Sequence, residues 1–520
     1  MKKFNMTGFC TPEEDYMVDI SGKTSEIREL IDNRYYFTIN RARQYGKTTT
    51  LAMLGQTLKN EYICVEIDFE GLGKTPFSDE DKFCNEFKNM VGKALENTSL
   101  EREAIAQWNE SRATTFSELS ECITALCRER KIVLMIDEVD KASNYEIFLY
   151  FLGMLRKKFH ERKRRVGATF HSVILTGVYD IKNIKAKQVK AAVIVLNPDE
   201  DRESSPWNIA EDFDVDMSFS PTEIATMLNE YEADHTTGMD VSAISEEIHS
   251  YTDGYPFLVS SICRYIDEKL AKEWTIEGVQ KAVKFIVSKA NTLFGDVFKN
   301  LRNDTELHDY IYGLLIKGTM PPFVIHDPIV AAGVRYGYFK DVAGNVSISN
   351  KIFELAMTEY FISKDLRNKK QVTGVLSDDV IKDGRFDMEL CLRKFAEHYA
   401  EIYNDKDAAF LEKHGRLLFI SYLKPLINGE GFYHIESQFT DLRRMDVVVD
   451  YGRDQYIIEL KIWRGEQKER EAYEQLCGYL NTKRADTGYL VTFDFRKEAN
   501  KERRAEWVEV DGKKIFDVII

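Results

Sequence analysis

The stretch Tyr35 to Leu51, YYFTINRARQYGKTTTL, constrains this chain more than any other, because it reads in order as strand, tight loop and helix start. Aromatic and β-branched residues from Tyr35 to Ile39 suit a buried strand. Gly46-Lys47-Thr48 then opens a helix whose unpaired N–H groups face whatever sits in the loop, and such a helix start favours an anion. In the pattern G-x-x-x-x-G-K-[ST] the lysine reaches the β- and γ-phosphates of a nucleotide and the hydroxyl holds Mg²⁺. Lys47 and Thr48 take those roles here, with Gly46 and Thr49 beside them in the nucleotide site. The first glycine of the pattern is replaced by Arg41, so the opening turn has to form without glycine's freedom at that point, and a second cation is expected near the phosphates. The competing reading is a helix cap with no ligand.

A second motif decides between them. In KIVLMIDEVDKAS, Ile132 to Ile136 is a fully apolar strand of the kind buried on both faces of a parallel sheet, and it delivers Asp137 and Glu138 at its carboxyl end. Ligands of open α/β sheets bind at that end. Asp137 is expected to hold Mg²⁺ directly or through water, and Glu138 to polarise the water that attacks the γ-phosphate. A further apolar strand, SVILTGV (Ser172 to Val178), places Thr176 where it can sense the γ-phosphate. Asp68 and Glu70, at the end of YICVEIDFEG, are read as caps of the next segment rather than as nucleotide contacts.

Composition narrows the class. At 520 residues and 44% hydrophobic the chain can bury large cores, and its length suggests about three domains. No stretch approaches the roughly 20 apolar residues that span a bilayer, so the expectation is a cytoplasmic protein with no membrane partner. The eight cysteines carry no C-x-x-C or His/Cys pairing and read as reduced core thiols. A net charge of −15 argues against non-specific coating of nucleic acid, so any contact with it is local. The most basic run, RKKFHERKRR (Arg156 to Arg165), is a plausible polyanion contact, but a solvated helix end is the favoured reading.

Beyond Ser220 the pattern turns to amphipathic helices, with Ser220-Pro221-Thr222-Glu223 as a helix start and Gly254-Tyr255-Pro256 breaking a helical pair. Residues 296–365, with helices around Leu314 and Phe353 and the hairpin YFKDVAGNVSIS, have the makings of a winged helix. The segment from Leu366 to Gly384 loses apolar periodicity and reads as a linker.

The C-terminal part holds a separate constellation. A helix over Phe386 to Tyr403 precedes a second one carrying Glu412 and Arg416. Asp446 then opens the apolar strand MDVVVDY, and QYIIELKIW presents Glu459 and Lys461 on one face, since strand side chains alternate with period two. Asp446 and Glu459 can jointly bind Mg²⁺, and Lys461 can orient or help deprotonate a water attacking a phosphodiester. The helix REAYEQLCGYL puts Gln475 and Tyr479 one turn apart, able to close over that site. The bland alternative is a surface hairpin with ordinary salt bridges, such as Glu459 with Arg443.

Taken together these motifs resemble the AAA-ATPase-like proteins of bacteria that carry a C-terminal PD-(D/E)XK nuclease domain. The resemblance rests on FNMTG and YMVDIS, INRARQYGKTTTL, MIDEVDKAS, SVILTGVYDIKNIK, SPWNIAEDF with VDMSFS, LKPLINGEG, RRMDVVVDY, IIELKIWRGE and QLCGYL. It implies an ATPase of the STAND/AAA-related kind with Lys47, Thr48, Asp137 and Glu138 at its site, and a nuclease with Asp446, Glu459, Lys461 and Gln475 at its own. It also treats Arg41 as the family's own variant of the loop.

The expected fold class is α/β. A P-loop NTPase parallel sheet fills residues 1–219, with a helical lid at 220–295 and the winged-helix-like domain at 296–365. A linker at 366–385 leads to a restriction-endonuclease-like α/β domain at 386–520. The expected cofactors are ATP and Mg²⁺, and the expected partner is nucleic acid, DNA before RNA, with a homo-oligomer allowed. The alternative function is an ATP-driven signalling or scaffold switch whose C-terminal domain binds without cutting.

Overall fold

Strands that are apolar at every position can be buried only if helices cover both faces of their sheet, and parallel strands need helical crossovers that supply this cover. The computed structural model of this chain is built in that way. It describes residues 2–142, 145–178, 207–289, 291–316, 319–368, 380–382, 385–402, 419–420, 422–424, 426–427, 431–434, 447–463, 466–494 and 504–520. The chain divides into two compact units, Met1–Ala282 with Val334–Gly337, and Val283–Gly333 with Tyr338–Ile520.

In the first unit, helix α1 (Ser21–Asp32) leads to β1 (Tyr36–Asn40), and α2 (Lys47–Leu58) crosses to β2 (Ile63–Asp68). Helices α3 (Glu80–Leu95), α4 (Arg102–Glu110) and α5 (Phe116–Cys127) lead to β3 (Ile132–Asp137), and α6 (Glu146–Lys163) leads to β4 (Ser172–Gly177). The four strands are parallel in the order β1-β4-β3-β2.

Every residue of β3 and β4 is buried. Alternation sends Ile132, Leu134 and Ile136 to one face, against an aromatic layer that includes Phe69, Phe83, Phe87, Phe148 and Phe151. Val133 and Met135 go to the other face, against Ile27, Leu51, Leu54 and Leu58 of α1 and α2. Helix α1 begins at Ser21, whose N–H donates to the Asp19 carboxylate at 2.8 Å.

A helical layer follows in α7 (Pro221–His235), α8 (Val241–Thr252) and α9 (Pro256–Lys269). The expected helix start is a full capping box: Glu223 N–H donates to Ser220 Oγ at 3.2 Å and Ser220 N–H to the Glu223 carboxylate at 2.8 Å. The amino-terminal segment packs on this layer through a cluster of Phe4, Tyr16, Tyr231 and Trp274 rings, with Tyr16 Oη donating to Asp234 at 2.9 Å. Helix α10 (Ile276–Ser288) then leads out of the layer.

The second unit contains α11 (Thr292–Asn303), α12 (Thr305–Leu315), all but the last two residues of α13 (Pro328–Arg335), the hairpin β5 (Phe339–Val342) and β6 (Asn345–Ile348), and α14 (Lys351–Asn368). The hairpin and both helices expected around Leu314 and Phe353 are thus present. A short pair β7 (Ile381–Lys382) and β8 (Arg385–Phe386) and helix α15 (Met388–Ile402) come next. The remaining elements are β9 (Gly431–His434), β10 (Val447–Tyr451), β11 (Asp454–Ile462), α16 (Glu466–Lys483), β12 (Thr487–Phe493), β13 (Arg504–Val510) and β14 (Lys513–Ile519). Their six strands form one mixed sheet in the order β13-β14-β12-β11-β10-β9, in which β11, β12 and β14 are parallel and the outer neighbours antiparallel. Helix α16 is the crossover from β11 to β12 and buries Ala472, Leu476, Cys477 and Leu480 against Val448, Ile457 and Leu490. Glu412, Arg416 and most of the linker lie outside the described residues.

One backbone contact within the first unit gives a stability test. Gly254 has φ +71°, and a Cβ there would lie 2.1 Å from the Phe219 carbonyl oxygen, whereas Gly238 has φ +77° with open space around it. Gly238→Ala is expected to cost about 1–2 kcal/mol from backbone strain alone. Gly254→Ala should cost clearly more and lower the thermal midpoint further, as read by circular dichroism on both variants; equal midpoints would refute this account.

Candidate functional site

The loop between β1 and α2 turns on two left-handed residues, Gln44 at φ +59° and Gly46 at φ +75°. Arg41 is not among the left-handed residues, so the turn forms without the missing first glycine by moving its positive-φ points later in the loop. Lys47, the first residue of α2, is only 7% exposed, and its ammonium donates to the carbonyls of Arg41 and Ala42 at 3.0 Å each. Burial pushes its pKa down, while Glu138, Asp137 and Asp140 push the other way.

Because β4 lies between β1 and β3, the ends of three strands converge on one carboxylate. Asp137 Oδ2 accepts from Thr48 Oγ1 at 2.6 Å, and Oδ1 accepts from Glu138 N–H at 2.8 Å and from the Thr176 hydroxyl. The sequence-predicted Lys47, Thr48, Asp137, Glu138 and Thr176 are therefore brought to one place. Glu138 adopts φ +51°, a sparsely populated conformation for a residue with a side chain. Its carboxyl is raised above the usual range, first by burial and then by Asp137 and Asp140, against an opposing pull from Lys47.

Two residues expected at the phosphates are engaged elsewhere. The guanidinium of Arg41 donates to the carbonyls of Asn40 at 2.9 Å and Val215 at 2.7 Å and lies over the Phe213 ring, so in this arrangement it clips the loop to the following segment. The Thr49 hydroxyl accepts from Cys10 N–H at 3.2 Å. Asp68 caps its own turn, accepting from Glu70 N–H at 2.6 Å.

Sequence reasoning missed Asp140, whose carboxylate accepts from Val178 N–H at 2.5 Å and approaches Gly177, holding the end of β4 to the turn after β3. Its only signal was its place inside MIDEVDKAS. It also missed Tyr255, whose hydroxyl donates to the Arg43 carbonyl at 2.5 Å and whose ring meets Tyr45 edge-on at 4.6 Å. No local pattern marks such a long-range contact.

In the second unit, Glu459 and Lys461 lie on β11 and form an ion pair at 2.5 Å. Glu459 is 1% exposed. Lys461 also donates to Gln475 Oε1 at 3.2 Å, and Gln475 Nε2 donates to Tyr479 Oη at 2.7 Å, so this part of the expected constellation is assembled across β11 and α16. Asp446 lies outside the described residues.

The register pairs Glu459 with Leu490 and Leu490 with Asp517, which puts a second acid in the same row two strands away. Asp517 is fully buried; it accepts from Tyr473 Oη at 2.6 Å and pairs with Arg504, which also pairs with Glu469. Burial raises the Asp517 carboxyl even with Arg504 beside it. Among the described residues no group of three or more His, Cys, Asp or Glu is arranged to hold a metal, and no helix is long and apolar enough to cross a membrane.

Comparison with known proteins agrees with the N-terminal reading. The AAA-like domain family matches residues 15–283. No curated protein matches the chain. Among solved structures, a Walker-type ATPase of Pyrococcus abyssi is similar at 12% identity and a TM-score of 0.46, covering 68% of this chain and 99% of that one. The ORC2 protein of Aeropyrum pernix, in ADPNP–ADP complexes, is similar at 11% identity and a TM-score of 0.34, covering 68% and 97%. The match over 15–283 spans the phosphate loop, Asp137 and the helical layer, and the chain belongs to the AAA-like domain family, its first unit being a nucleotide-binding P-loop ATPase.

Proposed function

We propose that this chain couples ATP hydrolysis in its first unit to Mg²⁺-dependent cleavage of DNA phosphodiesters by the C-terminal sheet of its second. The observation that carries the nuclease half is the assembly of buried Glu459 with half-buried Lys461 and Gln475 on adjacent faces of β11 and α16. A carboxylate 1% exposed and held by a lysine is costly unless it serves a charge-dependent task.

In the ATPase site, Lys47 moves its ammonium from loop carbonyls to the β- and γ-phosphates, and the N-terminus of α2 receives their charge. The Thr48 and Asp137 oxygens, 2.6 Å apart, fit a Mg²⁺ ion, which when bound would neutralise charge developing on the phosphates. Glu138 takes the proton of the attacking water, and Thr176 fixes Asp137 and senses the γ-phosphate. In the nuclease site, Glu459 with Asp446 would hold a Mg²⁺ ion, which would stabilise the pentacoordinate phosphate. Lys461 orients the attacking water, and Gln475 and Tyr479 hold the lysine in line.

The second reading is an ATP-driven scaffold switch whose C-terminal sheet binds nucleic acid or protein without cutting. Its supporting observation is that Lys461 is already neutralised by Glu459.

Lys47→Ala is expected to lower ATP turnover by about 10²-fold or more in a phosphate-release assay. The acid limb of the ATPase pH profile should lie above the usual glutamate value of about 4.3, because the base must be ionised and burial favours its neutral form, so activity rises with pH through that limb. Glu138→Gln should abolish that limb along with most turnover; a limb that persists would assign it to another group. Purified protein should nick plasmid DNA with Mg²⁺, and Glu459→Ala should end cleavage while sparing ATP turnover. A wild-type protein that never cuts DNA under these conditions leaves the switch as the reading.

A further inference from the structure

The basic run from Arg156 to Arg165 splits into two kinds of residue. Lys158 is buried and donates to Ser120 O at 2.8 Å and Thr124 Oγ1 at 2.6 Å. Arg162 donates to the carbonyls of Phe170 and His171 at 2.7 Å and of Arg34 at 2.8 Å, and packs over the Tyr36 and Phe159 rings. These two cations are structural. Lys163, Arg164 and Arg165 are exposed at the end of α6.

Arg162 ties that helix end to the turn before β1, which exposes Arg34 and Tyr35, and Lys131 is exposed just before β3. All of these sit at the amino ends of the parallel strands, the opposite end from Lys47 and Asp137. Two of these cations, Arg34 and Lys131, reach the same buried side chain: His171 is pushed down to about 4, first by burial and then by Arg34, Arg162 and Lys131. Its Nε2 has no hydrogen-bond partner among the described residues. Of the acids nearby in the chain, Asp32 and Glu61 pair with Arg28 and Glu161 with Lys157, while exposed Glu129 makes no ion pair with Lys131 among the described residues. Among the described residues none makes an ion pair with Arg34, Lys131, Lys163, Arg164 or Arg165.

Like charges gathered without counter-charge raise the energy of the fold unless an anion relieves them, and in a chain of net charge −15 such a gathering is local. We propose that this rim of Arg34, Lys131, Lys163, Arg164 and Arg165 is a binding site for the phosphate backbone of a polynucleotide, with Tyr35 beside it as a surface on which a base can stack. The spread of the cations over three chain segments suits a repeating anion better than a single phosphate, and the exposed ring favours a nucleic acid over a lipid headgroup. The inference shares with the proposed function the premise of a nucleic-acid partner, but it requires neither cleavage nor metal.

The test is fluorescence anisotropy of fluorescein-labelled 30-nucleotide DNA, single-stranded and duplex, with the full-length protein in EDTA from 50 to 200 mM KCl. Arg164→Glu/Arg165→Glu is compared with Lys93→Glu/Arg102→Glu, which makes the same charge change on exposed residues of α3 and α4. The rim variant should bind about tenfold or more weakly, with the slope of log affinity against log salt reduced by about two, and the control variant should resemble wild type. ATP turnover of the rim variant serves as its folding control. Equal losses in both variants, or no DNA binding by wild type, would overturn the proposal. So would rim-dependent binding to phosphatidylserine vesicles without rim-dependent binding to DNA. Rim-dependent binding in a protein that never cuts DNA would sink the nuclease reading and leave this site standing; Glu459-dependent cutting by a rim variant that binds as wild type would do the reverse.

Discussion

Everything in the first unit converges on the carboxylate of Asp137. Its two oxygens accept from a helix start through Thr48, from the neighbouring strand through Thr176, and from the next peptide N–H at Glu138. These donors come from three elements that are separate in sequence, and they meet only because β4 is inserted between β1 and β3. A buried acid satisfied in this way has no freedom to rotate, so the positions of Thr48 and Glu138 are fixed with it. The left-handed backbone at Glu138 is the strained point that lets the carboxyl after Asp137 turn toward the same space.

The two candidate sites treat lysine in a similar way. Lys47 gives its protons to main-chain carbonyls, and Lys461 gives its protons to a carboxylate and an amide. Both ammonium groups are therefore oriented by protein oxygens before any phosphate is considered. They differ in surroundings: Lys47 is buried, whereas Lys461 is half-buried. An anion approaching Lys47 replaces neutral carbonyls, while one approaching Lys461 competes with the full charge of Glu459.

How far the sequence could be read follows from the range of each interaction. The strands β1, β3 and β4, the loop helix and the Ser220 capping box were legible because each is written in a few adjacent residues. Glu459, Lys461 and Gln475 could be grouped because strand alternation and one helical turn suffice to align them. Arg41 was expected as a second cation near the phosphates, and composition could not say that its guanidinium would turn to the Val215 carbonyl. The buried Arg504–Asp517–Tyr473 network was invisible because its members are brought together only by strand order in the finished sheet. The basic run misled in part, since two of its cations are internal props and only the rest face solvent.

The grip of Tyr255 on the phosphate loop has a thermodynamic consequence. Its hydroxyl holds the Arg43 carbonyl and its ring meets Tyr45, so the start of α9 and the backbone that surrounds Lys47 share atoms in contact. Two parts joined in this way cannot have independent equilibria. Whatever free energy a nucleotide spends or gains in resetting that backbone is felt equally by the helical layer, and any ligand that steadies the layer returns the same amount as altered nucleotide affinity.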